Sequence, residues 1–400
     1  MPLLLRSCAR IAGAVRARLV RRTSVEAQTN APIRHRYVLA LAASIVLAFR
    51  VPLANAGETP SGFANASVPG NTALRGDARE RLDVVIWYPA PVTTAVHPVE
   101  LGPPDAPYFS EGEGAKDAPI ASKPAHMPFV VVSHGTGGSA MDLAWLCAGL
   151  AARGYIVAAV DHPGNNALER PTVAGTSLYW LRADDLSRVI DGVLAMPRFG
   201  PRIDRARIGA AGESLGGYTV LEIAGARTDD RLLNPYCAQH PDTPVCTGKA
   251  SPAIPDLRAK AHALAAADAE YRAAVSADMN SHRDPRVKAV FSIEPAEGPE
   301  IIRGSLATIR IPIAFVAGFG DQVLPVTDNV IPDALAIPNA QLTLLPKPVG
   351  HYTFLIDCTA AGVRAFPAIC RDAGPARIAV HQATLKLAAT FFARALPAAP

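Results

Sequence analysis

In the stretch "RIGAAGESLGGYTVL", residues 207–221, one serine stands among Gly212, Gly216 and Gly217. Gly212-Glu213-Ser214-Leu215-Gly216 fits G-x-S-x-G, and it falls between a short apolar run and a helical pattern. That setting suits a strand-to-helix corner so sharp that side chains at 212 and 216 would collide with neighbouring backbone, leaving the Ser214 hydroxyl clear of it. A glycine-rich structural turn is the plainer reading of five residues, and the flanking strand and helix favour a nucleophile. A serine hydroxyl attacks only when a base takes its proton and an acid holds that base. In chains built around this corner the order is serine, acid, histidine.

Two later residues fit that order. Asp321 closes the apolar run "IAFVAGFGD", and His351 in "PVGHYTFL" follows the next strand pattern. Strand ends are where α/β sheets gather their chemistry. The other histidine beyond Asp321 is His381, inside the last helical pattern and expected on its surface. Glu294 in "FSIEPAEG" ends the preceding strand and is the alternative acid; its plainer role is hydrogen-bonding support at a strand terminus. Charge developing on a carbonyl oxygen needs donors fixed in advance. The backbone N–H of Leu215 is one candidate, and that of Thr136 in "SHGTGGS" the other, with Gly135 and Gly137 permitting close approach. A phosphate-binding turn is the alternative for this loop, but the G-x-G-x-x-G and Walker spacings are missing. His134 is expected to brace the loop, and Asp161 and His162 of "DHPGN" to support or line the pocket rather than bind metal.

The elements that must position these residues alternate. "FVVVSHG" and "YIVAAVDHPG" are continuous apolar runs of the kind buried in parallel sheets. "RIGAAG", "VKAVFSIEP", "IPIAFVAGFGD" and "QLTLLP" continue the series, while "RLDVVIWYPA" is an earlier strand. Helical spacing appears in "SAMDLAWLCAGLAARG", in "RADDLSRVIDGVLAM", where Asp184 and Asp185 suit the helix dipole, and in "ARIAVHQATLKLAATFFARAL". The pattern predicts an α/β class chain: a mostly parallel sheet covered by helices on both faces. Residues 227–285, with a cysteine loop and the alanine-rich helix "AKAHALAAADAEYRAAVSADM", read as an insertion over one end of the sheet. Residues 91–128 read as mostly loop, and 57–76 as a flexible linker before a hydrolytic domain at 77–400.

Composition narrows the function. The net charge of +4 comes from a leader at 1–56 with nine arginines and one acid; the remainder has 30 basic and 34 acidic residues. Nucleic-acid binding by the folded part has no support. Within the leader, the basic start at "RHR", the apolar run at 37–49 and Ala54-Asn55-Ala56 have the layout of a secretory signal peptide, with an uncleaved anchor as the rival. Export to the periplasm or medium is expected, with no stable membrane insertion after cleavage. Cysteine usage agrees. Cys237 with Cys246, and Cys358 with Cys370, are the economical pairs among three connectivities, and Cys147 in an apolar helix is expected to be a buried thiol. The spacings fit no common zinc pattern.

Taken together, "VVVSHGTGGS", "GYIVAAVDHPGN", "RIGAAGESLGGYT", "YCAQHPDTPVC" and "DPRVKAVFSIEPA" resemble the bacterial dienelactone-hydrolase-like proteins, relatives of platelet-activating-factor acetylhydrolases. The resemblance implies an α/β-hydrolase fold and hydrolysis of carboxylic esters without metal or organic cofactor. It carries a triad onto Ser214, Asp321 and His351, with Thr136 and Leu215 as oxyanion donors. Dienelactone hydrolases proper use cysteine where this chain has Ser214, and acetylhydrolases take their acid near Glu294. Glu213 stands where histidine is commonest. The expected partner is a small, lipid-like or polyester ester. Amide cleavage by the same triad and a non-catalytic binding protein on the same fold are the alternatives. Trp145, Tyr179, Trp180, Tyr218 and Tyr352 are candidate pocket walls.

Overall fold

The computed structural model describes residues 59–71, 73–76, 80–248, 254 and 256–398; the leader and the signal-peptide features lie outside the described residues. Its strands are β1 (Ser61–Pro69), β2 (Arg81–Pro89), β3 (His97–Leu101), β4 (Phe109–Lys116), β5 (Met127–Ser133), β6 (Ile156–Val160), β7 (Ile203–Glu213), β8 (Val287–Ile293), β9 (Ile313–Gly318) and β10 (Gln341–Leu345). They lie in the order β10-β9-β8-β7-β5-β6-β2-β1-β4-β3. The run from β10 to β6 is parallel, and β2 pairs antiparallel with β6 and with β1. Every residue of β5, β6 and β9 is buried, which is why these strands read as unbroken apolar runs.

Helices cover both faces. On one, the helices Arg182–Ala195 and Leu215–Ala224 bury Leu186, Val189, Ile190, Val193, Val220 and Ile223 against the sheet. On the other, Ala144–Ala151 and Pro375–Ala395 contribute Leu146, Leu150, Ala388 and Phe392. The sheet is thus a slab whose carboxyl edge is free to carry loops, an α/β-hydrolase architecture. Cys237–Cys246 and Cys358–Cys370 are both disulfides, and Cys147 is a buried free thiol, as the spacing predicts.

Two expectations are corrected. Residues 61–69 of the expected linker are strand β1, in register with β2 from Ser61↔Pro89 to Pro69↔Arg81. Its small residues disguise it: a Cβ at Gly62 would stand 2.5 Å from the Tyr88 ring, so the glycine there lets two strands pack around an aromatic. Residues 91–128, mostly loop, also carry β3 and β4, which pair antiparallel despite the prolines around them. The alanine-rich helix is two helices, Leu257–Ala267 and Ala269–Val275, because Asp268 turns its side chain to accept from the Tyr271 N–H and starts the second. These helices belong to the insertion, and Tyr271 joins a small apolar cluster with Ala174, Leu178 and Trp180.

Candidate active site

The corner after β7 is as cramped as its glycines imply. A Cβ at Gly212 would lie 2.3 Å from the Gly216 carbonyl oxygen, and one at Gly216 would lie 2.0 Å from that of Ser133. Ser214 sits at φ 58° and ψ −123°. A non-glycine residue in such a region carries strain of about 1–3 kcal/mol, held only when its surroundings over-determine it. Here the Ser214 N–H donates to the Ile293 carbonyl at 2.9 Å, and its own carbonyl accepts from Tyr218 and Ala296, each at 3.1 Å.

Three chain-distant side chains meet at this corner. Ser214 Oγ lies 3.0 Å from His351 Nε2, and His351 Nδ1 lies 2.7 Å from Asp321 Oδ2. With Nδ1–H donating to the carboxylate, Nε2 is the acceptor that faces the hydroxyl. The other Asp321 oxygen, Oδ1, accepts from the N–H groups of Val323 and Leu324 at 2.7 and 2.8 Å. Burial alone would raise the Asp321 pKa, but the charge and hydrogen bond of His351, with those two N–H groups, hold it below 3.8. For His351, burial is outweighed by Asp321, so its pKa rises above 6.5. The arrangement couples nucleophile, base and acid in one line at the carboxyl edge of the sheet.

Glu294 is close to this line but serves it differently. Its Oε1 accepts from the Gly318 N–H at 2.6 Å, and its Oε2 is buried without a partner among the described residues. Burial and the Asp321 charge push its pKa well above the ordinary carboxylate range. The contact with His351 Nδ1 belongs to Asp321. Glu294, Asp321 and His351 bring potential ligand atoms within 4.8 Å of one another, as do Asp229, Asp230 and Asp278. Both imidazole nitrogens of the first group are engaged by Ser214 and Asp321, which is acid–base geometry rather than an open ligand set.

The glycine loop after β5 lies against the same corner. A Cβ at Gly135 would be 3.1 Å from Ser214 Cβ and 2.8 Å from Glu213 Oε2. Thr136 is exposed on this loop and its N–H has no acceptor among the described residues, whereas the Gly137 N–H is taken by Asn165 Oδ1 at 2.7 Å. Leu215, directly after the nucleophile, begins the helix Leu215–Ala224. His134 braces the loop through Nδ1, 2.6 Å from the Gly135 carbonyl, while Asp161 accepts from the Ala140 N–H.

Other residues fall where sequence patterns alone could not put them. Glu213 faces inward: its Oε1 lies 3.6 Å from His351 Nε2 with no hydrogen-bond partner among the described residues, and burial pushes its pKa up to about 8. His381, expected on a helix surface, is buried, stacked on Trp145 with centroids 4.3 Å apart and hydrogen-bonded to Glu111 and the Thr353 carbonyl. The helix Pro375–Ala395 packs that face onto the helix Ala144–Ala151. Trp145, Trp180 and Tyr218 are likewise buried packing residues, and the Tyr179 hydroxyl bonds to Glu300. Of the candidate walls, Tyr352 stands beside the site, its ring centroid 5.4 Å from that of His351 in an edge-on arrangement.

A family profile described as serine aminopeptidase, S33 (Hydrolase_4) matches residues 124–344, more than half of the chain, and includes Ser214 and Asp321. Two Thermobifida alba proteins named cutinase est1 and cutinase est2 are each 30% identical over 113 residues, 28% of this chain and 35% and 34% of theirs. The chain thus matches about a third of their length. A solved ferulic acid esterase from Streptomyces cinnamoneus superposes with a TM-score of 0.51 at 21% identity, over 86% of this chain and 92% of that one, a likeness of fold. By fold, corner and family profile, the chain belongs to the serine aminopeptidase S33 (Hydrolase_4) family of α/β-hydrolases.

Proposed function

We propose that the chain is an exported serine ester hydrolase with Ser214, His351 and Asp321 as its triad. The observation that carries this reading is the continuous line from Ser214 Oγ through His351 to Asp321, at 3.0 and 2.7 Å. Ser214 Oγ attacks the ester carbonyl while His351 Nε2 takes its proton. The backbone N–H groups of Leu215 and Thr136 hold the oxyanion. The intermediate collapses, the alcohol leaves with the proton from Nε2, and an acyl-enzyme remains. Water, giving its proton to the same nitrogen, then releases the acid and restores the hydroxyl.

The cutinase names of the partial relatives favour esters over amides. Segment likenesses further suggest the dienelactone-hydrolase-like and acetylhydrolase-like subgroup, with serine in place of cysteine. Lipid-like or polyester substrates fit that assignment. The arginine-rich leader, its apolar run and Ala54-Asn55-Ala56 support secretion with cleavage before Gly57. No helix among the described residues is long and apolar enough to cross a membrane. The test is a panel of p-nitrophenyl esters of rising acyl length, lactones and polyester films set against matched p-nitroanilides. Turnover of esters with little of anilides is expected; faster anilide cleavage would replace the ester reading with an amidase.

A further inference from the structure

Beneath the glycine loop lies a second chain of hydrogen bonds that the triad does not use. Arg75 Nη2 and Nη1 donate to Asp185 Oδ1 and Oδ2 at 2.6 and 3.0 Å, and Asp185 Oδ2 also accepts from His162 Nδ1 at 2.9 Å. All three side chains are buried. Burial, with Arg182 nearby, drives the His162 pKa down to about 3, so the ring is neutral. With its proton on Nδ1, His162 Nε2 is an acceptor, and the Ser133 hydroxyl fills it at 2.9 Å.

The chain continues through backbone. The His162 N–H donates to His134 Nε2 at 3.2 Å, which requires that nitrogen to be bare. The His134 proton therefore sits on Nδ1, 2.6 Å from the Gly135 carbonyl oxygen. Arg182 Nη2 also lies 3.3 Å from Nδ1, a contact that would suit the other tautomer. That guanidinium nitrogen already has the His134 carbonyl at 2.5 Å, and the opposite tautomer would set two donors against each other at His162 and leave the Gly135 carbonyl facing a lone pair. Two contacts thus fix the proton against one weak one.

The consequence follows from peptide geometry. The Gly135–Thr136 bond is trans. In a planar trans peptide the carbonyl and the following N–H point in opposite directions. Holding the Gly135 oxygen down onto His134 turns the Thr136 N–H the other way, on a loop that borders Ser214 and where no described residue accepts it. We propose that His134, as its Nδ1–H tautomer, is a positioning residue that aims the Thr136 N–H at the oxyanion, its tautomer set by the backbone N–H of His162, a residue whose side chain Asp185 and Ser133 hold in place. The proposal rests on the ester-hydrolase reading of Ser214.

Asparagine and glutamine separate a positional role from a merely structural one. The amide nitrogen of asparagine reaches the place of Nδ1, and that of glutamine the place of Nε2. In the full chain, His134→Asn is expected to keep kcat for p-nitrophenyl acetate within about tenfold. His134→Gln is expected to lose on the order of 10²–10³ in kcat, the scale of one oxyanion donor, with KM little changed. Equal loss in both variants, or wild-type kcat in His134→Gln, would overturn the proposal. In the latter case the Gly138 N–H, 3.3 Å from the same carbonyl, would hold the peptide alone. Neutron diffraction on the wild-type protein needs no variant to fold. A deuteron on His134 Nδ1 is expected, and one on Nε2 would overturn the assignment. A wild-type protein inert towards esters with its deuteron on Nδ1 would instead fault the substrate reading and leave the tautomer chain standing.

Discussion

Replacing Glu213 by glutamine should stabilise the protein at neutral pH and move the acid limb of its activity profile less than loss of Asp321 does. Glu213 is buried beside the nucleophile, Oε1 makes no hydrogen bond among the described residues, and His351, Asp142, Asp321 and Arg182 are the charged groups that act on it. Burial, the largest cause, pushes its carboxyl from 4.5 up to about 8. Between those values the folded protein keeps a proton that the unfolded chain has released, so stability falls as pH rises through this window. The loss grows by about 1.4 kcal/mol per pH unit and reaches about 3 kcal/mol at pH 7. Glutamine cannot ionise and escapes it. Urea unfolding of both proteins from about pH 5 to about pH 8 should therefore show a stability gap that widens with pH. A gap that stays flat, or a variant less stable at pH 7, would refute the reasoning. In the same variant, the pH at which kcat/KM falls on acidification should move down by less than in Asp321→Asn, because Asp321 is the larger and Glu213 the smaller of the charges that raise the His351 pKa. A shift as large as that in Asp321→Asn would mean that Glu213 shares the role of Asp321.

The two candidate acids should separate sharply. Asp321→Asn removes the carboxylate that orients His351 and should lower kcat by on the order of 10⁴, whereas Glu294→Gln should lower it far less; steady-state kinetics of both variants decides between them. In the wild type, activity should fall on acidification as His351, raised above 6.5 by Asp321, takes up a proton; in Asp321→Asn that fall should move to lower pH, as a pH–rate profile would show. Replacing Cys358 and Cys370 together by serine opens a loop with a sequence separation of 12. The loss of about 3 kcal/mol expected from chain entropy should appear in denaturant unfolding.

Much of the site was legible because its chemistry sits at element ends. Ser214 carries a corner whose glycines can be read locally, and Asp321 and His351 each follow an apolar run that could only be a strand. The contacts made across the fold were not legible. Arg75 and Asp185 are 110 residues apart, and nothing local distinguishes Asp185 from an ordinary helix-dipole acid such as its neighbour Asp184. His381 lies on a helix whose pattern does not declare that face buried, and only the docking of Trp145 against it does so. Strand β1 was hidden for the opposite reason. Its glycine and alanine make room for Tyr88 and its neighbours, and small residues chosen for packing look like those of a linker. Glu213 was visible as a residue, but the side of the corner it occupies depends on the Ser214 backbone angles, which no pattern encodes.

The central claim is that Ser214 is the nucleophile, and covalent labelling with a fluorophosphonate probe tests it most directly. Wild-type protein should be tagged at Ser214 in step with its loss of p-nitrophenyl ester hydrolysis. Folded Ser214→Ala should take up no probe and lose turnover by several powers of ten. A Ser214→Ala protein that still hydrolyses the ester, or a wild-type protein labelled at another residue, would contradict the account.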